Sequence, residues 1–387
     1  MRKSLSMLGL IVGWLLVSGC DNDMKNIEKL SYANAVGVDF KDGKYYGYIQ
    51  MADFQNVAKT STGTRGPSKI WIGEGSGDTF EEALFQVYET AQERIIWGHV
   101  SALVISESAM KEGIISIYES FSRYHEFRLT PWVYATRGSV KDIFSVTGFF
   151  ERSPLDTMLH EPEAIHSQSS FVSPIKLHEV IRQINEPGFT LCIPSLAANK
   201  TQWSEKEKPE LKLKINGAIF LKNDSFKSFI PLEELSGLRW VQSGIVRAGI
   251  PVPDPKDPSV QIVIDNPKSK VKTISRGDRP QFDIKVKATG SVVSRTKNDL
   301  LDYRQLTDAT AKAIEDEIRK VFRTGIDHKT DILNLEYQLF RYHYGLWKSM
   351  SPAEDRLLTD DAIHDIRIKL NIVHTSSEKN KKNIGAE

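Results

Sequence analysis

A glycine-rich stretch at residues 73–83, GEGSGDTFEEA, is a first place in this sequence where chemistry could reside. A glycine-rich turn at the start of a helix can bind phosphate, because its backbone N–H groups point toward the anion. The stretch lacks the Lys-Ser/Thr pair of GxxxxGK[ST], and the spacing of Gly73, Gly75 and Gly77 does not fit GxGxxG. The favoured interpretation is a tight turn into a helix with Thr79 as N-cap and Glu82 completing a capping box.

Serine–lysine pairs with the SxxK spacing of some serine acyl-enzymes include Ser108 with Lys111, and Ser269 with Lys272. The KTG motif that accompanies SxxK in those enzymes is absent from the chain. Such pairs are expected by chance in a lysine-rich sequence. The sequence therefore predicts no serine nucleophile.

The stretch HEPEAIH places His160 and His166 close together and superficially suggests a zinc site. Its spacing differs from HExxH, and Pro162 would disrupt a helix that placed both rings on one face. A solvated loop is the favoured interpretation. His99, next to a glycine at a strand entry, is interpreted as a structural residue. No metal ion and no cofactor is expected.

The two cysteines lie in different contexts, and two are too few for a disulfide framework. Cys192 lies in the apolar stretch FTLCIPSL and is predicted to be buried and unreactive. Cys20 ends the sequence LVSGC, which follows two basic residues and an apolar run over residues 5–17. That run is too short and too rich in small residues for a good membrane span, and it is typical of a secretory signal.

This N-terminal leader resembles the lipobox of bacterial lipoproteins. The resemblance implies that residues 1–19 are a signal peptide that is removed, and that Cys20 carries both an S-diacylglycerol group and an N-acyl group. Several acyl chains on one residue anchor a protein stably to a lipid bilayer without a spanning helix. The alternative is an ordinary signal peptide with an incidental cysteine.

The composition is that of a soluble globular protein of 387 residues, enough for two or three domains. Its 51 basic and 50 acidic residues create no global field that would attract nucleic acid or an acidic membrane. The basic run KSKVK at residues 268–272 is interpreted as a solvated strand face. No nucleic-acid partner is expected.

The first half of the chain alternates predicted strands with predicted helices. Two runs of β-formers around Asp42 and Gly43 predict a hairpin. The helix that starts at Thr79 is expected to extend to about residues 97–98, and residues 107–124 are expected to form another helix. Buried strands are predicted at residues 99–106 and 130–138. This order is typical of an α/β unit.

The last third combines alternating strands with two predicted helices. Residues 280–294 and 362–376 alternate apolar and polar side chains, as strands with one wet face do. A long amphipathic helix is predicted over residues 306–326, and a second one over residues 331–350. The aromatic side chains of the second helix are expected to pack on the final sheet: Tyr337, Phe340, Tyr344 and Trp347.

These elements predict a mixed α/β and α+β fold of three domains, each a β-sheet with packed helices, without Rossmann or TIM-barrel architecture. The N-terminal α/β domain is predicted over residues 20–198. A small middle domain, a strand pair plus a helix, spans 199–254. The C-terminal α+β domain spans 255–375, and a polar tail follows at 376–387.

Several segments, taken in order, identify a family resemblance. After the lipobox come ANAVGVDF, GDTFEEAL, GHVSALVISESAMKEGI and ESFSRYHEFRLTPWVYATRGSVKDI. They are followed by NGAIFLKNDSFKSFIPLEELSGLRWV, then DILNLEYQLFRYHYGLW and IRIKLNI. This order resembles the Ger(x)C family, the C-subunit lipoproteins of spore germinant receptors. The resemblance covers nearly the whole mature chain.

The resemblance implies a three-domain protein on the outer face of the spore inner membrane of a spore-forming bacterium. It would work with two integral-membrane receptor subunits, of the A and B types, which recognise nutrients such as amino acids or sugars. Cys20 is the functional position that the resemblance transfers, and it brings no catalytic residue.

Three functional hypotheses follow. The first is a lipid-anchored accessory subunit of a nutrient-germinant receptor, needed for assembly or signalling. The alternative is a nutrient-binding extracytoplasmic lipoprotein of a transport system, a class that usually has two similar lobes; here the thirds of the chain differ in pattern. An extracytoplasmic enzyme has the least support, because the motif search found no catalytic signature.

Overall fold

The computed structural model describes residues 30–52, 69–123, 126–253, 256, 258–276, 279–295, 302–350 and 357–373. These residues form a nine-stranded sheet, a four-stranded sheet and the helices that cover them. Neither sheet closes into a barrel within the described residues. The predicted mixed α/β and α+β class is confirmed.

The large sheet contains strands from the first 231 residues of the chain. Its strands are β1 (Leu30–Lys41), β2 (Lys44–Ala52), β3 (Ile70–Gly77), β4 (Arg94–Ile96), β5 (Ala102–Ser106), β6 (Trp132–Thr136), β7 (Leu191–Asn199), β10 (Lys212–Lys222) and β11 (Ser225–Pro231). Their order is β11-β10-β7-β6-β5-β1-β2-β3, and β4 pairs with β1. A short separate hairpin is formed by β8 (Ser204–Glu205) and β9 (Lys208–Pro209).

Helices cover both faces of the large sheet. They are α1 (Phe80–Tyr88), α2 (Glu107–Lys111), α3 (Ile114–Ser122), α4 (Val140–Phe144), α5 (Pro162–Gln168) and α6 (Leu177–Ile184). Because the central parallel strands are buried from both sides, β5 reads as a continuous apolar run and all five of its residues are buried. At its antiparallel edge, the predicted β1–β2 hairpin turns at Asp42 and Gly43, which both have left-handed backbone conformations.

The three glycines of the opening stretch lie in a strand, where the sequence predicts a tight turn. Gly73, Gly75 and Gly77 occupy alternate positions of β3, and helix α1 packs directly on them. A Cβ atom on Gly75 would lie 2.2 Å from the backbone oxygen of Ala83. The glycines therefore permit close packing of the helix on the strand. The predicted N-cap is correct, since the Thr79 side chain accepts a hydrogen bond from the Glu82 amide.

Two predicted helices in this half of the chain have different ends. Helix α1 ends at Tyr88, because residues Arg94–Ile96 pair in parallel with β1 and bury Ile95. The helix predicted over residues 107–124 is broken at Gly113, which has a φ of 104°. The second piece, α3, is capped from a distant turn: Asp224 accepts hydrogen bonds from the backbone amides of Ile114 (2.7 Å) and Ile115 (3.2 Å).

The small sheet is built from the last third of the chain together with one earlier strand. Its strands, in spatial order, are β12 (Arg247–Val252), β13 (Val260–Arg276), β14 (Arg279–Arg295) and β15 (Ile363–Val373). The β15 strand runs parallel to β14. The long helix α8 (Tyr303–Asp327) begins with a reciprocal capping box between Asp302 and Gln305. It packs its apolar face, including Ile314 and Ile318, against one side of this sheet.

The helix predicted over residues 331–350 is two helices, α9 (Leu335–Tyr342) and α10 (Tyr344–Ser349), because His343 has non-helical backbone angles. The prediction that the aromatic side chains of this segment pack on the final sheet is wrong for most of them. Of its members, Trp347 packs against the core at partial burial, while Tyr344 is exposed. Leu335 and Leu339 fill the interior in their place.

Residues of the predicted middle domain contribute to both sheets. The β10–β11 hairpin adds to the large sheet beside β7, whereas the short helix α7 (Leu238–Val241) and β12 belong with the small sheet. The division of the chain into three domains stays a prediction. Among the described residues, no helix has the length and apolar character needed to cross a membrane.

Candidate interaction surface

The predicted anchor Cys20 lies outside the described residues, so its acylation stays a prediction. The other cysteine, Cys192, lies in β7, and burial raises the pKa of its thiol to about 12. A thiol with so high a pKa is protonated at neutral pH and is a poor nucleophile. The geometry agrees with the unreactive role predicted for Cys192.

The SxxK pairs Ser108/Lys111 and Ser269/Lys272 do not form a nucleophile and its base. Ser108 donates a hydrogen bond to the Asp39 carboxylate at 2.9 Å, while the Lys111 amine is bound 2.7 Å from Glu107. In the second pair, the Ser269 hydroxyl donates to the backbone oxygen of Val241. Each serine is thus engaged structurally.

The two histidines of HEPEAIH are held by different partners. His160 is buried between Ser101 (2.6 Å) and Gln50 (2.9 Å), and burial lowers the pKa of its imidazole to about 3. His166 lies 2.9 Å from the backbone oxygen of Gly244. In the part of the chain that the structure describes, no cluster of three or more His, Cys, Asp or Glu side chains could hold a metal ion.

Exposed aromatic rings form a surface patch that the motif search did not find. Phe149, Phe150 and Trp203, here called the aromatic patch, have exposed fractions of 44%, 92% and 55%. The Phe149 ring meets Trp203 edge to face at a centroid distance of 4.7 Å, and the Lys212 amine lies over Phe149 at 5.1 Å. Large apolar side chains that share one exposed area are typical of a surface that binds another protein or a membrane.

The backbone of Phe150 is strained where it presents its ring to solvent. Phe150 has a φ of 58° and a ψ of 41°, a left-handed conformation that is unfavourable for a bulky residue. Trp203 directly precedes β8, and its backbone oxygen accepts a hydrogen bond from the Glu210 amide at 2.8 Å. Because strained residues concentrate at functional sites, the conformation of Phe150 supports a binding role for the patch.

An apolar cleft of about 390 Å³ adjoins the aromatic patch through Gln202, the neighbour of Trp203. Leu213 and Ile215 of β10 line its interior, and the exposed side chains of Ile165 and Phe171 stand at its edge. The patch and the cleft together provide protruding rings and an apolar recess, the two components found at the centres of protein interfaces.

Sequence reasoning missed this surface because its rings come from two separate loops. Phe149 and Phe150 follow a short helix, and Trp203 lies in the charged link at residues 199–210. The available signal was their context, since large aromatic residues in segments without helical or strand periodicity have no core to fill.

A buried polar junction joins the two sheets. Lys222 at the end of β10 forms a salt bridge with Glu336 of α9, and both side chains are less than a tenth exposed. Asn334 both accepts a hydrogen bond from the Thr190 amide (2.7 Å) and donates one to the Thr190 oxygen (3.2 Å). Beside it, a cleft of about 760 Å³ separates the two parts of the protein.

Comparison with known proteins places this fold in the class of spore germination proteins. A family model described as "Spore germination protein N-terminal domain" matches residues 23–198, and one described as "Spore germination B3/ GerAC like, C-terminal" matches residues 199–376. The two matches together cover most of the sequence. The chain belongs to the Ger(x)C family, in agreement with the resemblance identified from its segments.

Relatives of known sequence come from Bacillus subtilis (strain 168). Spore germination protein B3 is 22% identical over 370 residues, covering 92% of this chain and 94% of the relative. Spore germination protein A3 is 24% identical over 253 residues, covering 64% of this chain and 62% of the relative. The crystal structure of the GerBC protein matches with a TM-score of 0.53 and 17% identity, covering 88% of this chain and 97% of that one, and this similarity supports the fold.

Proposed function

We propose that this chain is the lipid-anchored accessory subunit of a nutrient-germinant receptor, where it supports assembly or signalling with two integral-membrane subunits of the A and B types. The observation that carries this proposal is the match of both germination-family models, which extends over residues 23–376. The aromatic patch and its adjoining cleft supply a surface suited to docking of such a partner.

Anchoring belongs to the same proposal. Acylation of Cys20 would hold the body at the outer face of the spore inner membrane, because several acyl chains on one residue anchor a protein stably to a bilayer. This arrangement leaves the described residues free to contact membrane subunits from the aqueous side.

The alternative, a nutrient-binding lipoprotein of a transport system, receives less support. Such proteins usually have two similar lobes, whereas the sheets here contain nine strands and four strands with different connections. The cleft of about 760 Å³ between the two parts of the protein gives the alternative a direct test. A melting-temperature shift that saturates with amino acids or sugars would favour it, and no shift is expected.

The central experiment compares spores that lack the protein, spores with Cys20→Ala, and spores with Cys192→Ala as a matched thiol control. Germination on individual nutrients is followed as the fall in optical density. The first two strains are expected to lose the response to at least one nutrient, and the control is expected to respond normally. Normal germination of the deletion strain on every nutrient would refute the proposal.

A further inference from the structure

One face of the four-stranded sheet carries rows of lysines that lie side by side across three strands. In the pairing register, Lys268 of β13 lies opposite Lys287 of β14, which lies beside Lys369 of β15. Lys270 lies opposite Lys285 in the next row. Together with Lys272, these residues are called the basic sheet face.

The alternation of the strands separates this face from the core. Between the lysines of β13 and β14, Val271, Ile284 and Val286 point to the opposite side and pack in the core beneath helix α8. The six lysines are all exposed. The basic sheet face is therefore solvent-exposed, and Lys270 and Lys272 also lie at the cleft of about 760 Å³.

Carboxylates offset the lysine charge only at one end of this face, where Lys272 lies opposite Asp283 in the pairing register. Of the acidic residues in the same rows, Asp283 lies 2.9 Å from the His364 ring and Asp365 is bound by Arg367 at 2.5 Å. Asp265 lies farther along the face, beyond a bulge in β13. Among the described residues, none of the six lysines forms an ion pair.

Repulsion between these lysines destabilises the folded sheet, and binding of an anionic partner would offset that cost. Like charges directly opposite each other on neighbouring strands are destabilising. Strands lie about 4.8 Å apart and alternate residues about 7 Å apart along a strand, so the amines share one small area. That spacing is within the Debye length of about 8 Å at physiological salt, so their repulsion is incompletely screened. An anionic surface placed against the face would attract each lysine and so offset the repulsion between them.

We propose that the basic sheet face binds the anionic headgroups of a phospholipid bilayer and lays the small sheet against the membrane. Arg367 lies beside Lys285 in the pairing register, and its guanidinium is bound by Asp365. The six lysines act as separate flexible point charges, without the fork geometry by which a free arginine recognises a fixed phosphate. The rows contain no aromatic side chain on which nucleic-acid bases could stack. Many independent charges on an open sheet match a fluid layer of headgroups, whose attraction is about 1 kcal/mol per lysine near the surface.

The test uses the chain from residue 21, which contains every described residue and lacks Cys20. Co-sedimentation is measured with vesicles of phosphatidylcholine alone and of phosphatidylcholine mixed with phosphatidylglycerol. The protein is expected to bind the mixed vesicles and to dissociate as salt rises, because salt screens the attraction. Absence of binding to the mixed vesicles, or equal binding to both types, would overturn the proposal and leave an acidic protein surface as the partner to be considered.

Substitutions locate the contact. Replacing Lys268, Lys270, Lys285 and Lys287 with glutamine removes four charges worth about fivefold each, so partitioning is expected to fall by roughly several hundredfold. The matched control makes the same charge change elsewhere, at four exposed lysines: Lys200, Lys206, Lys208 and Lys329. The control is expected to retain nearly full binding.

A third variant distinguishes loss of charge from loss of the fold. Arginine at the same four sheet positions preserves the charges and should keep the binding of the unchanged protein. An equal loss in the face variant and the control would refute the assignment to this face. The vesicle assay does not involve acylation, so its failure is distinct from failure of the Cys20 anchor.

Discussion

Replacing Lys222 with methionine tests whether the two sheets are coupled through the buried salt bridge. Lys222 ends β10 of the large sheet, and its partner Glu336 lies on α9 beside the small sheet. The side chains are 7% and 8% exposed, so water cannot take the place of the lost amine. Methionine keeps most of the aliphatic volume and removes the charge.

The expected loss follows from the burial of the remaining carboxylate. Breaking a buried pair by removing one partner costs about 3–5 kcal/mol, because the other charge stays buried without compensation. Removing both charges, in Lys222→Met with Glu336→Leu, should recover most of that loss. A deficit of about 1 kcal/mol is expected to remain, since the Trp347 indole N–H donates to Glu336 at 3.0 Å and would lose its acceptor.

The size of the effect should depend on pH through Asp331, which is buried next to this pair. Burial raises the pKa of its carboxyl from about 3.8 to about 6, while Lys222 acts to lower it. The unfolded chain releases this proton first as pH rises, so the contribution of Asp331 to stability is full below about pH 4 and is lost through pH 6. Without Lys222 the pKa rises further, so Lys222→Met should cost more at about pH 8 than at about pH 5.

Urea unfolding, followed by circular dichroism and tryptophan fluorescence, measures these free energies of unfolding. Lys111→Met is the control, because Lys111 pairs with Glu107 on a solvated helix face and should contribute less than about 1 kcal/mol. A loss below about 1 kcal/mol for Lys222→Met at the higher pH would refute the reasoning. So would a double variant that is no more stable than the single one.

Two further substitutions test the packing of α1 and the strain in the aromatic patch. Gly75→Ala should lower the free energy of unfolding by about 1–3 kcal/mol, because its methyl group would meet the backbone oxygen of Ala83. Gly345→Ala, in an open helical position, should instead add about 0.5–1 kcal/mol, and equal effects in the same urea assay would contradict this account. Phe150→Gly should raise stability by about 1 kcal/mol by relieving the left-handed conformation. The same change should weaken nutrient germination, and unaltered germination would argue against a binding role for the ring.

Local pattern predicts much of this fold. The Asp42–Gly43 turn and the N-cap at Thr79 depend on neighbours in the sequence, and both lie where the sequence places them. The strict alternation in β14 and β15 likewise identifies strands with one wet face. These features need no knowledge of distant residues, because turn chemistry and side-chain periodicity determine them.

Features that depend on distant partners could not be predicted in this way. Glycines at alternate positions, such as Gly73 and Gly75, fit a tight turn as well as a strand, and the helix packed on them decides between the two. The sequence presents residues 199–254 as a separate unit, but β10 pairs with β7 and so extends the large sheet. The basic run at residues 268–272 looks like an ordinary solvated strand until β14 and β15 place further lysines beside it.

The cap that Asp224 provides for helix α3 has a consequence for the order in which the chain can fold. The backbone amides of Ile114 and Ile115 donate to the Asp224 carboxylate, which lies more than a hundred positions later in the sequence. The same turn joins β10 to β11, which complete the large sheet beside β7. The region before residue 199 therefore completes its fold only when the hairpin of β10 and β11 is also present.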